Sequence, residues 1–585
     1  MKRIAAYLLT LTLPLAVFCQ SWDSLNSRPY PEWFGNAKLG IFVHWGLYSV
    51  PAYASPEGYA EWFYRGLMVK DSGRCRVMSQ YADTTLPVFD QYKELPKYWH
   101  AERWNPADWA GLFKQSGAKY VVLVTKHHDG YCLWDSPQQP EWNSVASGPR
   151  RNIVEELTDA VRKEGLLMGF YYSLPEWSNP RHVWMHDPDS AIGDYVENYM
   201  VPQFKDLVTR YKPELIFADG DWQNTAEQFR SAELIDWYYR TVGPSAIVNN
   251  RWGQGSRHGY KTLEYSSAIF DTLTPWAECR GIGRSFGYNS NENLDNYLTP
   301  TQLIQHFCEL VASGGGLTLN VGPMADGTIP QLQQERLLEL GRWLQVNGEA
   351  IYGTKPWTPH SSLQSKSTER TKAELPHTTT IDFDWVRNAP LNGMPVDNFE
   401  IRWEGITGPV PPKEGDYIIR VEGDDEVWLT IGKDTLYYNH NWVENNRCQA
   451  TLHLDGNQML LIGVKYREKD LESKVRITWS SDGGKTFTPI YADWHGVASW
   501  ERTLRCFTQK DNDLYVIEFE RPGQELVINY IPHLKKSTQI SLLGTTGTLK
   551  WKQTKKGTLT IDLSTIKPEE FNALDHAWVF KVSNH

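Results

Sequence analysis

Glu214-Leu-Ile-Phe-Ala-Asp-Gly-Asp221 is a short apolar run that stops on a carboxylate and a glycine. It is too short for a helix and bounded by a turn residue, so it reads as a buried strand of a parallel sheet. The same pattern recurs on both sides. Residues 39–44, 120–125, 167–172, 246–250 and 317–321 are apolar runs of similar length, and two weaker ones lie near Glu264 and Glu278. Stretches of helical period separate them, among them 152–164, 226–239, 301–312 and 331–346, the last stopping at Asn347-Gly348. Strand and helix alternating from 33 to 354 predict an α/β domain, and eight such units predict a (β/α)8-like TIM barrel.

Polar and aromatic residues gather where these runs end: His44-Trp45, Lys126-His127-His128-Asp129, Tyr171-Tyr172, Asp219-Gly220-Asp221 and Asn250-Arg251-Trp252. Barrel enzymes build their sites from the C-terminal ends of the strands, so these segments predict one shared mouth. Asp219 closes a strand and precedes Gly220, which predicts a carboxylate at that mouth with backbone room for a ligand; an Asx turn is the structural alternative. A retaining glycosidase needs a second carboxylate ~5 Å from the first. Glu264 and Glu278 are both placed for that role, and periodicity leaves the choice between them open. His44, His127 and His128 number enough for a zinc site, but adjacent histidines leaving a strand point to opposite faces, which favours hydrogen bonding to sugar hydroxyls. Glu61-Trp62 pairs a hydroxyl acceptor with a stacking surface, and Arg251 suits a carboxylate or developing charge.

At 585 residues the chain predicts two to four domains. The net charge of −11, with no Lys/Arg run, excludes phosphate-neutralising surfaces and with them nucleic acid as a partner. The 26 tryptophans and 30 tyrosines suit the apolar faces of sugars. Met1-Lys-Arg3 followed by an apolar stretch to Phe18 reads as a signal peptide, 1–19, and predicts an exported, periplasmic or secreted protein. Lipidation at Cys19 is the alternative, for which Phe18 is a poor neighbour. No later stretch is apolar enough to cross a membrane. Six widely spaced cysteines remain after cleavage, and their spacing assigns no disulfide. Beyond 354 the texture changes to short alternating runs such as 417–421, 426–431 and 514–519, which predict all-β sandwich domains, and the polar stretch 361–380 reads as a linker.

The motifs Ile41-Phe-Val-His-Trp-Gly-Leu-Tyr-Ser-Val50, Tyr59-Ala-Glu-Trp62, Lys126-His-His-Asp-Gly130, Asp219-Gly220, Asn250-Arg-Trp252, Ser285-Phe-Gly-Tyr-Asn289 and Leu319-Asn-Val-Gly-Pro323 together resemble the α-L-fucosidases of glycoside hydrolase family 29. The resemblance implies Asp219 as nucleophile, Glu264 as acid/base, and His44, Glu61, Trp62, His127, His128, Tyr171, Arg251 and Phe286 as substrate contacts. It also implies a retaining hydrolase of terminal α-L-fucose on oligosaccharides or glycoconjugates, with a covalent fucosyl-Asp219 intermediate and neither cofactor nor metal. A hydrolase of a related sugar, such as an α-L-galactoside, and a non-catalytic glycan-binding protein are the alternatives. Phe217 stands where some members have tryptophan, and Ala277 where a Trp-Glu pair is often seen. Phe399-Glu-Ile-Arg-Trp-Glu-Gly405 through Val475-Arg-Ile-Thr-Trp479 resembles a PA14 domain, which implies an insertion at 373–490; Asp424-Asp425 is its candidate for calcium and a second glycan, with a turn cap as the favoured reading. The implied organisation is a catalytic barrel at 20–355 and a C-terminal β-sandwich formed by 356–372 and 491–585.

Overall fold

Alternating side chains on eight parallel strands build two cores at once. The strands are β1 (Leu39–Val43), β2 (Tyr120–Lys126), β3 (Leu167–Ser173), β4 (Leu215–Asp219), β5 (Ile247–Val248), β6 (Lys261–Glu264), β7 (Trp276–Gly281) and β8 (Gly316–Val321). On β1, Leu39, Ile41 and Val43 face the surrounding helices, while Phe42 points into the barrel with Val122, Val124, Tyr171, Phe217 and Cys279. The computed structural model describes residues 22–182, 192–266, 269–358, 365–386, 388–407, 413–439, 447–456, 459–469, 473–572 and 575–583. The expected leader 1–19, with Cys19, lies outside these residues.

Hydrogen bonding orders the strands β5-β4-β3-β2-β1-β8-β7-β6, and one parallel bridge, Asn249 to Tyr260, spans the remaining seam. The barrel expected from sequence is therefore present as a curled eight-stranded sheet. Helices Ile153–Lys163, Ser231–Val242, Pro300–Ala312 and Gln331–Asn347 fall at or near the predicted positions. Around the seam, the described residues joining β5 to β6 and β6 to β7 contain no helix. The N-terminal segment covers that flank instead. Arg28 donates to the carbonyls of Ala246, Gly243 and Pro244, Tyr30 to that of Gly259, and Trp33 to that of Ser245. Helix Glu32–Ala37 then drives Phe34 into the barrel floor, with its ring 4.4 Å from Tyr260 and 6.0 Å from Tyr120 between centroids.

The C-terminal part is all-β apart from the short helix Pro568–Asn572, and one strand organises it. Ala492–Lys510 pairs along its first half with Phe399–Thr407 and along its end with Asp513–Glu518, so a single ten-stranded sheet runs through two sandwiches. The first sandwich closes over Ile401, Trp403, Val464 and Trp494 against Ile419, Val421 and Ile477; the second closes over Leu514, Val516 and Phe580 against Leu526 and Ile561. The stretch 361–380, expected as a linker, contains the nine-residue strand Lys366–Glu374, paired with 497–506 of the long strand. Its polar composition belongs to an exposed sheet edge, where charged side chains discourage pairing with other chains. The second sandwich lies on the barrel helices: Trp343 donates to the Ala577 carbonyl and Thr508 to that of Ala350. The first touches the barrel mouth, where the Asn388 amide donates to Glu57 at 3.1 Å. The six described cysteines are all free.

Phe34 is 6% exposed and fills the barrel floor. Phe34→Ala is expected to cost about 3–5 kcal/mol in the unfolding free energy read by chemical denaturation. A loss below about 1 kcal/mol would show that the plug is dispensable.

Candidate active site

The parity that splits the barrel into two cores also delivers the site. Leu215, Phe217 and Asp219 share the inward face of β4, and Phe42 on β1 leads to His44 two residues later. On β6, Leu263 faces outward, which turns Glu264 inward. On β7, Ala277 and Cys279 face inward, so Glu278 points outward, where it is fully buried and meets His306 of helix Pro300–Ala312. Of the two glutamates that periodicity left open, the structure brings Glu264 to the pocket and sends Glu278 behind the sheet.

Asp219 and Glu264 hang on one guanidinium. Arg251 donates from Nη1 to Asp219 Oδ1 at 3.3 Å and from Nη2 to Glu264 Oε2 at 2.8 Å. Tyr171 donates its hydroxyl to Asp219 Oδ2 at 2.8 Å, His128 Nε2 lies 3.5 Å from the same oxygen, and Tyr59 donates to Glu264 Oε1 at 2.9 Å. Burial alone would raise the Asp219 pKa, but His128, Arg251 and Tyr171 outweigh it and hold the carboxyl below the usual carboxylate range.

The imidazoles are fixed by their own partners. His44 Nδ1 lies 2.6 Å from Asn320 Oδ1, and since the Asn320 amide nitrogen donates to the Phe286 carbonyl, His44 Nδ1 carries the proton. Burial drives the His44 pKa down to about 3, so the ring is neutral. His128 Nδ1 lies 2.6 Å from Ser173 Oγ, whose own proton goes to the Pro175 carbonyl, so this Nδ1 also donates. His127 stacks on Tyr171 with ring planes 5° apart, and burial pushes its pKa well down. His127 and His128 were expected to diverge. β2 ends at Lys126, so strand alternation no longer governs them, and their ring centroids sit 4.4 Å apart.

Beneath that loop, Lys126 and Glu176 form a fully buried ion pair at 3.3 Å. Gly130 adopts φ +78°, and a side chain there would meet Glu176 Cγ at 2.5 Å, which explains the glycine that ends Lys126-His-His-Asp-Gly130. Gly220, at φ +89°, was expected to leave room for a ligand. Pro175 fills that room instead, 2.3 Å from where a Cβ would stand.

His44, His127, Tyr171, Asp219, Arg251 and Glu264 line a cavity of about 80 Å³ that also receives Glu61, Trp62 and Phe286, whereas His128 is not part of the lining and reaches the site through Asp219. Glu61 Oε2 accepts from the Gly287 amide at 2.8 Å and from Ser285 Oγ at 3.3 Å; burial, with the charge of Glu264 adding to it, raises its pKa to about 7. Phe42, Phe217, Phe286 and Cys279 form the apolar wall. Tyr59, Trp222, Phe42, Phe217 and Cys279 line the cavity without having been marked as site residues from sequence. Parity would have found two of them, since Phe42 and Phe217 stand two residues before His44 and Asp219. Among the described residues, three potential metal ligands converge elsewhere, in the first sandwich.

A family model described as alpha-L-fucosidase matches residues 12–349, a PA14 domain model matches 353–493, and an alpha-L-fucosidase C-terminal domain model matches 502–583. The alpha-L-fucosidase of Dictyostelium discoideum is 40% identical over 370 residues, which is 61% of this chain and 79% of that protein. The tissue alpha-L-fucosidase of Rattus norvegicus is 37% identical over 375 residues, covering 62% of this chain and 77% of that protein. The crystal structure of Thermotoga maritima alpha-fucosidase in complex with fucose aligns with a TM-score of 0.61 at 27% identity, covering 96% of this chain and 99% of that one.

Glu61 generates a stability prediction. Its carboxyl is buried and its pKa is raised to about 7, so between its unfolded value and that pH the folded state binds the extra proton and loses stability as pH rises. Glu61→Gln should abolish about 3 kcal/mol of that slope between pH 4.5 and pH 7. Parallel denaturation of both proteins across this range checks it, and an unchanged slope would mean that Glu61 ionises normally.

Proposed function

The chain belongs to the α-L-fucosidase family, and from that membership we propose that it removes terminal α-L-fucose from glycans by two displacements at the anomeric carbon. The observation that carries this reading is the shared guanidinium, with Asp219 on one terminal nitrogen of Arg251 and Glu264 on the other. Two carboxylates that touch one guanidinium support the close spacing of a retaining pair over the ~6.5–9.5 Å gap that an inverting enzyme leaves for water.

Asp219, held ionised, attacks the anomeric carbon while Glu264 gives its proton to the departing glycosidic oxygen. The product of that step is a fucosyl ester on Asp219 and a Glu264 carboxylate. Glu264 then takes a proton from water, whose oxygen attacks the same carbon and frees Asp219. One negative charge stands beside Arg251 in both halves, first on Asp219 and then on Glu264. The cation therefore has no work of charge reorganisation to do between them.

His44, Glu61, Trp62, His127 and Tyr171 line the pocket as candidate partners for the sugar hydroxyls and ring face, while His128 stands against Asp219. The wall of Phe42, Phe217, Phe286 and Cys279 suits the C6 methyl of fucose, and an α-L-galactoside would have to seat a hydroxyl on it without a partner. A wall of that kind limits discrimination to about 10²-fold, so measurable but slower turnover of the galactoside is expected.

The test is release of p-nitrophenol from its α-L-fucoside by the purified chain. Asp219→Ala should lose several orders of magnitude in kcat, and Glu264→Ala about 10²–10⁴-fold. With azide added, Asp219→Ala should yield the inverted fucosyl azide and Glu264→Ala the retained one. Near wild-type turnover by either variant overturns that residue's role, and swapped azide products would exchange the two roles.

A further inference from the structure

Where the chain passes from the second sandwich into the first and back again, three potential metal ligands meet. Asp493 and His495 stand two residues apart on the long strand Ala492–Lys510 and so share its outer face, while Trp494 between them is buried in the core. The incoming segment lies antiparallel beside them, through the Thr378–Trp494 bridge and the Leu375 amide bonded to the Gly496 carbonyl. That register brings His377 opposite. Its Nε2 bonds Asp493 Oδ1, His495 Nε2 lies 3.7 Å from the same oxygen, and the two imidazole centroids are 5.2 Å apart.

We propose that His377, Asp493 and His495 form a binding site for a divalent transition metal of the zinc type, which clasps the neck of the inserted β unit. One ligand atom from each residue lies within 4.8 Å of the others. Zinc bonds of about 2.0–2.2 Å need only a modest contraction, which the side chains can supply, since all three are at least half exposed. Two imidazoles and a carboxylate are borderline ligands that select zinc, nickel or copper over calcium or magnesium, and three of them leave a fourth position for water. A surface pairing of one histidine with one aspartate contributes little to stability by itself, so it does not account for a second imidazole on the same carboxylate. The ion would join the two chain crossings through which the β unit is inserted, and closing so long a loop restricts the unfolded chain most.

Calorimetric titration of the tag-free, chelator-treated full chain with zinc chloride tests this. A single equivalent is expected to bind, to be lost in His377→Ala and His495→Ala, and to raise the unfolding temperature of wild type alone by on the order of a few degrees. Fucoside hydrolysis should be unchanged in both variants, since neither residue lines the catalytic pocket. Zinc uptake that is absent in wild type, or equal in wild type and in the double variant, overturns the site.

Discussion

A carboxylate stays ionised in a water-poor pocket only beside a cation, and a second carboxylate can share that cation. Arg251 is that cation, and the remainder of the mouth is arranged to let it serve both partners at once. β5 ends after Val248, and the chain that leaves it carries Arg251 to the carboxylates of β4 and β6. Tyr171, His128 and Tyr59 each supply one further contact, and each lies against other elements, so the carboxylates are held rather than merely neutralised. Positioning of this kind costs nothing at the moment of reaction, because the dipoles and charges already point where they are needed.

Beside that charged centre two of the imidazoles are uncharged. His44 and His127 are neutral because burial makes an imidazolium too costly, and a neutral imidazole offers one donor and one acceptor. A sugar hydroxyl likewise both gives and takes a hydrogen bond. The pocket thus separates two tasks, with charge confined to the reacting carbon and neutral, orientable groups elsewhere. The separation follows from partners as well as depth: buried His44 and His127 lose their hydration and stay neutral, whereas Asp219 keeps its charge beside His128 and Arg251.

Much of this was legible in the sequence, because a barrel strand signals itself twice, by an apolar run and by the polar residue that ends it. Asp219, His44 and the His127-His128 pair were found that way. Periodicity leaves Glu264 and Glu278 open and only the family resemblance favours Glu264, although parity separates them, since Ala277 and Cys279 are the small inward residues of β7 and Glu278 lies between them. Tyr59 and Trp222 stand on loops, where no period applies, and only their nearness to Glu61 and Asp219 in the chain hinted at a role. The strand Lys366–Glu374 was hidden for the opposite reason, since an exposed edge needs no apolar face and its composition is that of a linker. Pro175 beside Gly220 shows the same limit: a glycine reports that space is tight, not what fills it.

The strand Ala492–Lys510 has a mechanical meaning as well as an architectural one. Because the two sandwiches share it without a break, and the second is fastened to the barrel helices, the first cannot swing on a tether as an appended module would. It acts as an outrigger that touches the rim of the catalytic mouth at Glu57. Any displacement of the first sandwich must therefore bend the shared sheet itself, and it would be felt at the catalytic rim through Asn388 and Glu57.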